Sequence, residues 1–282
     1  MPTQHEKAER FLALHGEPGI LVVPNAYDVA SACILADVGF KAVATTSGGC
    51  AFSLGYRDGE HMSRDAMAAV VAGIAGALDL PVSADMEAGY GTAPGAVADT
   101  VAATIDAGAV GINIEDSTKG GERALLDFDL SVERIRAARG AADVAGLPLV
   151  INGRTDVYSV GGLDDDALLQ ESARRANAYL EAGADCAFII GVSDGDLIGR
   201  LAAAVGGPLN VLAGANSPPV AELETLGVKR VTLGSGLAKA ALTLVKDAAE
   251  ELMTQGTYTF TRDTLGQPEI NRILGVRASD TN

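Results

Sequence analysis

Residues 180–190 read L-E-A-G-A-D-C-A-F-I-I, and this stretch joins the end of an alanine-rich helical pattern to a short apolar run. Gly183 stands where the helix would end, because a left-handed residue often follows a helix and glycine adopts that conformation at low cost. The apolar run at 186–190 has the length and composition of a buried strand. The stretch therefore predicts a helix that ends at a glycine and leads directly into a strand.

The same helix–glycine–strand phrase occurs three more times, as A-D-V-G-F, I-D-A-G-A and E-T-L-G-V around Gly39, Gly108 and Gly227. With these phrases as anchors, we expect eight strands, at residues 20–25, 42–46, 81–86, 110–115, 148–152, 186–190, 209–213 and 230–233. Helical patterns lie between or after them, near residues 27–37, 63–78, 94–107, 129–143, 165–182, 194–205, 218–226 and 236–254. This alternation predicts βαβ units and a parallel sheet.

Eight such units without a visible linker predict an α/β protein with a (β/α)8 barrel, the TIM barrel, as one domain over residues 1–255. The alternative is an open doubly wound sheet, which is disfavoured because no G-x-G-x-x-G follows the first strand. Residues 256–282 are polar and include Tyr258 and Phe260, so we interpret them as a C-terminal tail or an interface arm.

The composition narrows the class of protein. Of the 282 residues, 48% are apolar, which argues for a packed globular core. A formal net charge of −16 disfavours nucleic acid or an anionic membrane as a partner, although a bound divalent cation would let the protein hold an anionic substrate. No apolar run approaches the roughly 20 residues that span a bilayer, and residues 1–10 are not signal-like. The three cysteines have no C-x-x-C spacing, so we expect a cytoplasmic protein without a disulfide framework.

Two acids, Asp85 and Glu87, follow an apolar run in the sequence A-D-M-E-A-G-Y-G (84–91). Residues i and i+2 of a strand point to the same face, so we expect the two carboxylates to lie side by side. Like charges that close repel unless a proton or a cation lies between them. Active sites of TIM barrels lie at the carboxyl ends of the strands. Further charged residues are predicted at those ends and in the loops that follow: Asp58, Glu115, Asp116 and Arg154.

This group of acids predicts a site for a hard cation, because carboxylates without histidine favour Mg²⁺ or Mn²⁺ over zinc. Mg²⁺ keeps several waters and takes only one or two carboxylates directly. We therefore expect Asp85 to be the direct ligand and the other acids to hold metal-bound waters. For any single acid the alternative is a structural role such as capping the next helix, and this applies best to Asp116 or Ser117.

The sequence T-T-S-G-G (45–49) after the second strand has two interpretations. It is either a flexible turn or a nest of hydroxyl and backbone N–H groups that holds a carboxylate. Cys50 beside it is expected to be a packing residue, since no motif places a histidine next to it. The three histidines are expected at the surface. Lys119 and Arg123 flank a glycine pair, which favours a lid over the alternative of solvated charges.

Five motifs stand in order within residues 18–240: V-P-N-A-Y-D (23–28), T-S-G-G-C-A-F-S-L-G-Y-R-D-G-E (46–60), D-M-E-A-G-Y-G (85–91), G-I-N-I-E-D-S (111–117) and I-N-G-R-T-D-V-Y (151–158). Together they resemble the isocitrate lyase/phosphoenolpyruvate mutase superfamily, in particular a phosphoenolpyruvate phosphonomutase-like member. The resemblance implies a (β/α)8 barrel whose C-terminal helix is often exchanged between subunits of a homodimer or homotetramer. It also implies Mg²⁺ and a small anionic 2-oxo acid substrate, with a C–C or C–P bond formed or broken through a pyruvate enolate.

The resemblance also implies roles for individual residues. Asp85 corresponds to the direct metal ligand, and Arg154 corresponds to an arginine that contacts the substrate. The acids that bind metal waters correspond to Asp58, Glu87 and Glu115. The segment that holds the substrate carboxylate corresponds to Thr46, Ser47 and Gly48. From these positions we expect Asp58, Glu115 and Arg154 to serve the chemistry itself.

Three departures from the superfamily pattern bear on the activity. Residues 117–121 read S-T-K-G-G where the lyases carry K-K-C-G-H or K-R-C-G-H, which argues against isocitrate or methylisocitrate lyase activity. Residues 190–192 lack the histidine of the phosphonate enzymes, and D-x-E replaces the usual D-x-D. The prediction is therefore a Mg²⁺-dependent lyase or hydrolase that cleaves a C–C or C–P bond of a small 2-oxo acid. The alternatives are a phosphonate mutase and a non-catalytic metabolite-binding homologue.

Overall fold

A parallel sheet dominates the computed structural model, which describes residues 2–118 and 124–275. Within these residues its strands are β1 (Leu21–Val22), β2 (Asn25–Ala26), β3 (Val43–Thr45), β4 (Val82–Asp85), β5 (Gly111–Glu115), β6 (Val150–Thr155), β7 (Cys186–Ile189), β8 (Leu209–Leu212) and β9 (Arg230–Thr232). The strand order is β1-β9-β8-β7-β6-β5-β4-β3-β2, with every pairing parallel. All eight predicted strand positions are confirmed.

The first strand position is divided into two short pieces that pair on opposite sides. Leu21 of β1 is in register with Arg230 of β9, whereas Asn25 of β2 is in register with Ala44 of β3. Pro24 lies between the two pieces and has no N–H to donate to a neighbouring strand. The segment 21–26 thus borders both the last strand and the second strand position, and the sheet is curled in a TIM-barrel-like manner.

Helices follow the strands as the alternating pattern predicted. The helices are α1 (Gln4–Gly16), α2 (Val29–Val38), α3 (Ser47–Ser53), α4 (Arg64–Ala77), α5 (Pro94–Asp106), α6 (Phe128–Ala145), α7 (Val157–Val160), α8 (Asp165–Glu181), α9 (Gly195–Ala204), α10 (Val220–Thr225), α11 (Gly236–Gln255) and α12 (Gln267–Leu274), with a 3₁₀ turn at Thr259–Thr261. The glycine at the end of each of these four predicted helices is left-handed, with a φ of 103° at Gly39, 84° at Gly108, 108° at Gly183 and 90° at Gly227. The predicted left-handed helix ends are confirmed.

Helix α1 was not among the predicted helices, and it buries one of the histidines. It starts with a capping box, in which Glu6 N donates to Thr3 Oγ1 at 3.2 Å and Thr3 N donates to Glu6 Oε2 at 2.7 Å. Phe11 and His15 lie four residues apart on its buried face, so both side chains point into the protein. The surface position expected for His15 is wrong, because only 5% of the residue is exposed.

The C-terminal helices differ in how they pack. Much of α11 is exposed, including the large apolar residues Leu244 and Met253. In contrast, α12 lies against α2, where Ile273 is buried and Arg272 pairs with Asp37 at 2.6 Å. Residues 276–282 of the predicted tail lie outside the described residues. None of the helices within the described residues combines the length and the apolarity that a membrane span needs.

Candidate active site

A cavity of about 620 Å³ opens where the strands of the sheet end. Its mouth is lined by residues at the ends of strands or in the loops after them, among them Thr46, Asp58, Asp85 and Ser235. Its deeper part is lined by strand residues such as Arg230. This cavity therefore lies at the position predicted for a barrel active site.

Asp85 is held in this cavity by neutral hydrogen-bond donors. It is the last residue of β4, and its Oδ2 accepts from Ser47 N at 2.9 Å and from Ser47 Oγ at 2.8 Å. Its Oδ1 accepts from Asn113 Nδ2 at 3.0 Å. A carboxylate has about four acceptor sites, so capacity remains. Among the described residues no cationic side chain forms an ion pair with Asp85, which is the environment of a carboxylate that can take a cation.

The segment T-T-S-G-G runs from the last residue of β3 through the N-cap Thr46 into the first turn of helix α3, so its interpretation as a flexible turn is wrong. Thr46 is the N-cap, and its hydroxyl accepts from Gly49 N at 3.4 Å and lies 3.0 Å from Ser235 Oγ. Gly48 sits in a narrow space, because a Cβ there would lie 2.8 Å from Ser235 Oγ and 3.1 Å from Asp58 Oδ2. Any larger residue at position 48 would therefore displace the side chains of Ser235 and Asp58.

Glu87 reaches its position through the backbone rather than through strand alternation. Strand β4 ends at Asp85, and Glu87 has a left-handed φ of 51°. The carboxylate of Glu87 is buried and accepts from Glu60 N at 2.7 Å. The argument from strand alternation, which would have placed the two carboxylates side by side, stops at Asp85. Asp58 lines the cavity itself and is exposed.

Arg154 at the cavity wall is clamped by two carboxylates. Its Nη1 pairs with Glu115 Oε2 at 2.5 Å, and its Nε donates to Asp156 Oδ1 at 2.7 Å. Burial works against the guanidinium charge, but Glu115 and Asp156 outweigh this and raise the pKa of Arg154. Glu115 is thus connected to the cavity through Arg154. The arginine is fixed in place and stays charged.

Asp116 was expected at the rim, but it is buried in a structural network. Its carboxylate accepts from Tyr179 Oη at 2.6 Å, Asp156 N at 2.9 Å and Arg175 Nη1 at 3.1 Å. Burial raises the pKa of Asp116, while these donors act in the opposite direction. The residue fastens the end of β6 to α8 and does not cap the next helix, which begins at the N-cap Asp127.

The cysteine near the site is a packing residue, as expected. Cys50 is fully buried, and burial raises the pKa of its thiol to about 12. Such a thiol carries almost no thiolate near neutral pH and is therefore a poor nucleophile. Burial likewise raises the pKa of Cys186 in β7 to about 12. Lys119 and Arg123, for which a lid was predicted, lie outside the described residues.

Several polar residues of the site were missed by sequence reasoning. Asn113 donates to Asp85 and accepts from Asn152 Nδ2 at 3.1 Å, and Asp156 fixes Arg154. Asn25 accepts from the backbone N–H groups of Leu233 and Gly234 at 2.7 and 2.9 Å. The available signal was an asparagine inside an apolar strand, as in I-N-I and I-N-G, because a barrel strand rarely buries an amide without a partner.

The carboxylate oxygens around the cavity are suitable ligands for a hydrated hard cation. Within residues 2–118 and 124–275, no three acidic, histidine or cysteine side chains form a ready-made metal cage. Mg²⁺ does not need such a cage, since it commonly uses one or two carboxylates and several waters. Asp85 offers the direct carboxylate, and Asp58 offers a second one on the same cavity. Zinc, which prefers a closed set of nitrogen and sulfur ligands, fits these residues less well.

A comparison with protein families decides the membership of this chain. The family model described as phosphoenolpyruvate phosphomutase matches residues 11–253. The chain belongs to this family. It is therefore an enzyme of the isocitrate lyase/phosphoenolpyruvate mutase superfamily, whose members include C–C lyases and mutases, and the resemblance of its motifs is confirmed.

Relatives extend over most of the chain. The 2-methylisocitrate lyase of Escherichia coli (strain K12) is 31% identical over 212 residues, which are 73% of this chain and 69% of that protein. The oxaloacetate decarboxylase of Chromohalobacter salexigens is 31% identical over 261 residues, which are 89% of this chain and 86% of that protein. A crystal structure from Burkholderia cenocepacia J2315 is 43% identical, has a TM-score of 0.90, and covers 96% of this chain and 97% of that one.

Proposed function

We propose that this protein is a Mg²⁺-dependent lyase or hydrolase that cleaves a C–C bond of a small 2-oxo acid through a pyruvate-like enolate. The observation that carries the proposal is the carboxylate of Asp85, which lines the cavity and is held only by neutral donors among the described residues. A relative named oxaloacetate decarboxylase acts on a compound of this class, which supports the choice.

Asp85 would hold the cation directly, and Asp58, Glu87 and Glu115 would orient the waters around it. When bound, a divalent cation supplies a Lewis acid for negative charge that develops on the 2-oxo oxygen. The carboxylate is kept pointing into the cavity by Ser47 and Asn113, so it needs little rearrangement to accept a ligand. This preorganisation is the contribution of the protein to cation binding.

The substrate's anionic groups would be held by Thr46, Ser47 and Gly48 on one side and by Arg154 on the other. Hydrogen bonds to Glu115 and Asp156 take three of the five N–H groups of Arg154, which leaves donors for the substrate. A guanidinium fixed at both ends binds a carboxylate in one orientation and loses little side-chain entropy on binding. Arg154 therefore orients the substrate and stabilises negative charge near its carboxylate.

Metal titration tests this proposal directly. We expect isothermal titration calorimetry with Mn²⁺ or Mg²⁺ to show one site in the wild-type chain and at least about tenfold weaker binding in Asp85→Ala. Asp99→Ala, which removes an exposed acid on α5, is the matched control and should bind as the wild type does. Equal binding by the Asp85→Ala and wild-type chains would refute the metal assignment.

Turnover tests decide the chemistry. We expect oxaloacetate to be consumed in the presence of Mg²⁺, with pyruvate or oxalate as the product to identify. Phosphonopyruvate or phosphoenolpyruvate followed by ³¹P NMR tests the phosphonate mutase, since interconversion of the two would replace the C–C reaction by C–P chemistry. Oxalate binding without turnover of oxaloacetate, phosphonopyruvate or any other short 2-oxo acid would instead establish a non-catalytic homologue.

We also propose that α11 is exchanged between subunits of a homodimer or homotetramer and completes the (β/α)8 barrel of its neighbour. The support is the exposed apolar surface on one side of α11, where Leu242, Val245 and Met253 are 50%, 65% and 86% exposed. Large apolar patches of this kind normally mark an interface. Light scattering should show a dimer or tetramer, and Val245→Glu should weaken it; a monomeric wild-type chain would refute the exchange.

A further inference from the structure

The deep end of the cavity contains a buried arginine. Arg230 is the first residue of β9, is 1% exposed, and lines the cavity together with Ser83, Asn152 and Asn210. Layers of branched apolar side chains normally fill this part of a TIM-type sheet. A guanidinium and two amides in their place are costly to bury and need partners.

Within the described residues, Arg230 has too few hydrogen-bond acceptors and no carboxylate to balance its positive charge. Its Nη2 lies 3.4 Å from Ser83 Oγ, and its guanidinium carbon lies 5.5 Å from the centroid of the Phe11 ring. Its Nε and Nη1 have no hydrogen-bond partner in the described structure, and none of the described carboxylates pairs with it. Burial lowers the pKa of Arg230, but an arginine still keeps its proton near neutral pH. A positive charge is therefore left uncompensated beside the cavity.

The neighbouring amides show what kind of group is missing. Asn210 is the register partner of Arg230, and its Nδ2 also has no hydrogen-bond partner among the described residues. The Nδ2 of Asn152 donates to Asn113, which in turn donates to Asp85, whereas the Oδ1 of Asn152 has no partner among the described residues. The unused groups are mostly donors around a fixed positive charge. An anion satisfies the donors, and a single water is enough for the remaining carbonyl of Asn152.

We propose that Arg230 and Asn210 form a binding site for one small monovalent anion at the deep end of the cavity. Two kinds of anion fit such a site: a free inorganic ion such as chloride, and the second carboxylate of a diacid substrate. The site goes beyond the proposed function, because a free ion would bind there whatever reaction the enzyme performs. With the substrate carboxylate as the anion, the inference rests on the proposed function and specifies a diacid.

The first test looks for a free ion, and its bromide soak needs no variant. Crystals of the full chain grown without chloride and soaked in bromide are expected to show an anomalous peak within hydrogen-bonding distance of Arg230 if the anion is a free ion. Nitrate at constant ionic strength should then raise the midpoint of thermal unfolding of the wild-type chain. It should not raise that of Arg230→Met, which replaces the buried cation with an apolar side chain of similar length. Arg200→Met removes an exposed arginine on α9 and is the control.

The second test addresses the substrate carboxylate. In the presence of Mg²⁺, malate and lactate differ by one carboxylate group, so their affinities are compared by calorimetry. If Arg230 holds that carboxylate, malate binding should weaken by about tenfold or more in Arg230→Met while lactate binding changes less than about twofold. Failure of both acids to bind wild-type protein would count against the proposed function, whereas the bromide experiment would still report on the anion site.

One combined outcome of these tests would overturn the proposal. It is the absence of bromide at Arg230 together with equal responses of the wild type and Arg230→Met to nitrate and an unchanged malate-to-lactate ratio. Ordered water alone would then occupy the deep end of the cavity. If Arg230→Met does not fold, the bromide soak and the nitrate response of the wild-type chain decide the question by themselves.

Discussion

The carboxylate of Glu87 accepts a hydrogen bond from the backbone N–H of Glu60 across 2.7 Å, and both residues have left-handed φ angles, of 51° and 58°. The carboxylate of Glu60 in turn accepts from Tyr90 N at 3.0 Å, and Tyr90 has a φ of 55°. Non-glycine residues rarely adopt this conformation, so its occurrence at three positions of two touching loops indicates a strained, mutually supported structure. Asp58 and Asp85 each lie two residues upstream of one of these glutamates, and Asp85 is the last residue of β4.

Truncation of Glu87 should separate the two loops. In Glu87→Ala the N–H of Glu60 loses its acceptor, and we expect the free energy of unfolding to fall by about 1–3 kcal/mol. Glu87→Gln keeps an oxygen acceptor and should retain most of the stability while it loses the charge. Urea unfolding of the three chains measures the difference, and equal stability of the alanine and glutamine variants would contradict the role of this hydrogen bond.

Arg134 on α6 should be required for the shape of the loop that follows Glu87. Its guanidinium is buried and donates to the carbonyl groups of Gly91 at 2.7 Å, Thr92 at 3.0 Å and Ala88. A lysine cannot reach all three acceptors, so Arg134→Lys should cost about 2 kcal/mol or more of unfolding free energy. Faster amide exchange in residues 88–92 should accompany this loss.

The control for this prediction lies on the same helix. Arg136 is exposed, and Arg136→Lys should change the unfolding free energy by less than about 0.5 kcal/mol. Similar destabilisation by both substitutions would show that the helix, and not the buried guanidinium contacts, determines the effect.

Gly48→Ala should weaken cation binding without unfolding the protein. The added Cβ would lie 2.8 Å from Ser235 Oγ and 3.1 Å from Asp58 Oδ2, so both side chains must move. We expect the affinity for Mn²⁺ to fall while the midpoint of thermal unfolding changes little. In Gly76→Ala on α4 a Cβ meets no atom within 4 Å, and this control should be stabilised by about 0.5–1 kcal/mol with unchanged metal affinity. Unchanged Mn²⁺ affinity in Gly48→Ala would refute the role of the narrow space.

The stability of the protein should fall at mildly acidic pH because of His15. Burial and the nearby charge of Arg230 lower the pKa of His15 to about 4, from 6.5 for an ordinary imidazole. Between these values the unfolded chain takes up a proton that the folded chain does not, so stability is full above pH 6.5 and is lost progressively down to pH 4. The loss should amount to roughly 3 kcal/mol.

Substitution of His15 isolates this contribution. Urea unfolding at several pH values should show a shallower loss of stability below pH 6.5 in His15→Gln than in the wild type. His61→Gln, at an exposed position, should keep the wild-type slope. Parallel curves for the His15→Gln and wild-type chains would mean that carboxylates alone cause the acid sensitivity.

Thiol reagents should react slowly with the native protein at Cys50 and Cys186. Burial raises the pKa of both thiols to about 12, and the thiolate is the reactive form. Mass spectrometry after iodoacetamide treatment at pH 8 should find both residues unmodified until denaturant is added. Rapid native labelling of Cys50 would reopen the possibility that it takes part in the chemistry.

The alternation of strands and helices was readable because each unit carries its own local signals. Gly183 and its three counterparts end helices with left-handed backbone, and the apolar runs after them are short and β-rich, so local chemistry and fold agree. Helix α1 had a readable signal in the capping box of Thr3 and Glu6, but its polar sequence concealed the buried face. Helix α3 was hidden by two glycines, which disfavour helices, and its first residues are stabilised by burial and by the cap at Thr46.

The candidate site was predictable where it depends on strand ends and not where it depends on loops. Asp85 and Arg154 lie on the wall of the cavity as barrel geometry implies. The position of Glu87 depends on a left-handed backbone, and that of Asp116 depends on contacts with Tyr179 and Arg175 from a distant helix. No local pattern reports such long-range contacts, which is why Asp116 was expected at the rim. The strand argument for Glu87 did not foresee that β4 ends at Asp85.

The pairing of Leu21 with Arg230 also has a consequence for the synthesis of the chain. A ribosome adds about 5–20 residues per second, so the emerging first strand waits roughly 10 to 40 seconds for its partner. During that interval the backbone N–H and C=O groups at one edge of the growing sheet have no partner strand. A nascent chain with such an exposed edge is prone to aggregate and is therefore a substrate for chaperones. Slow translation through the last third of the message would prolong this vulnerable period, whereas the finished protein no longer offers that edge to other chains.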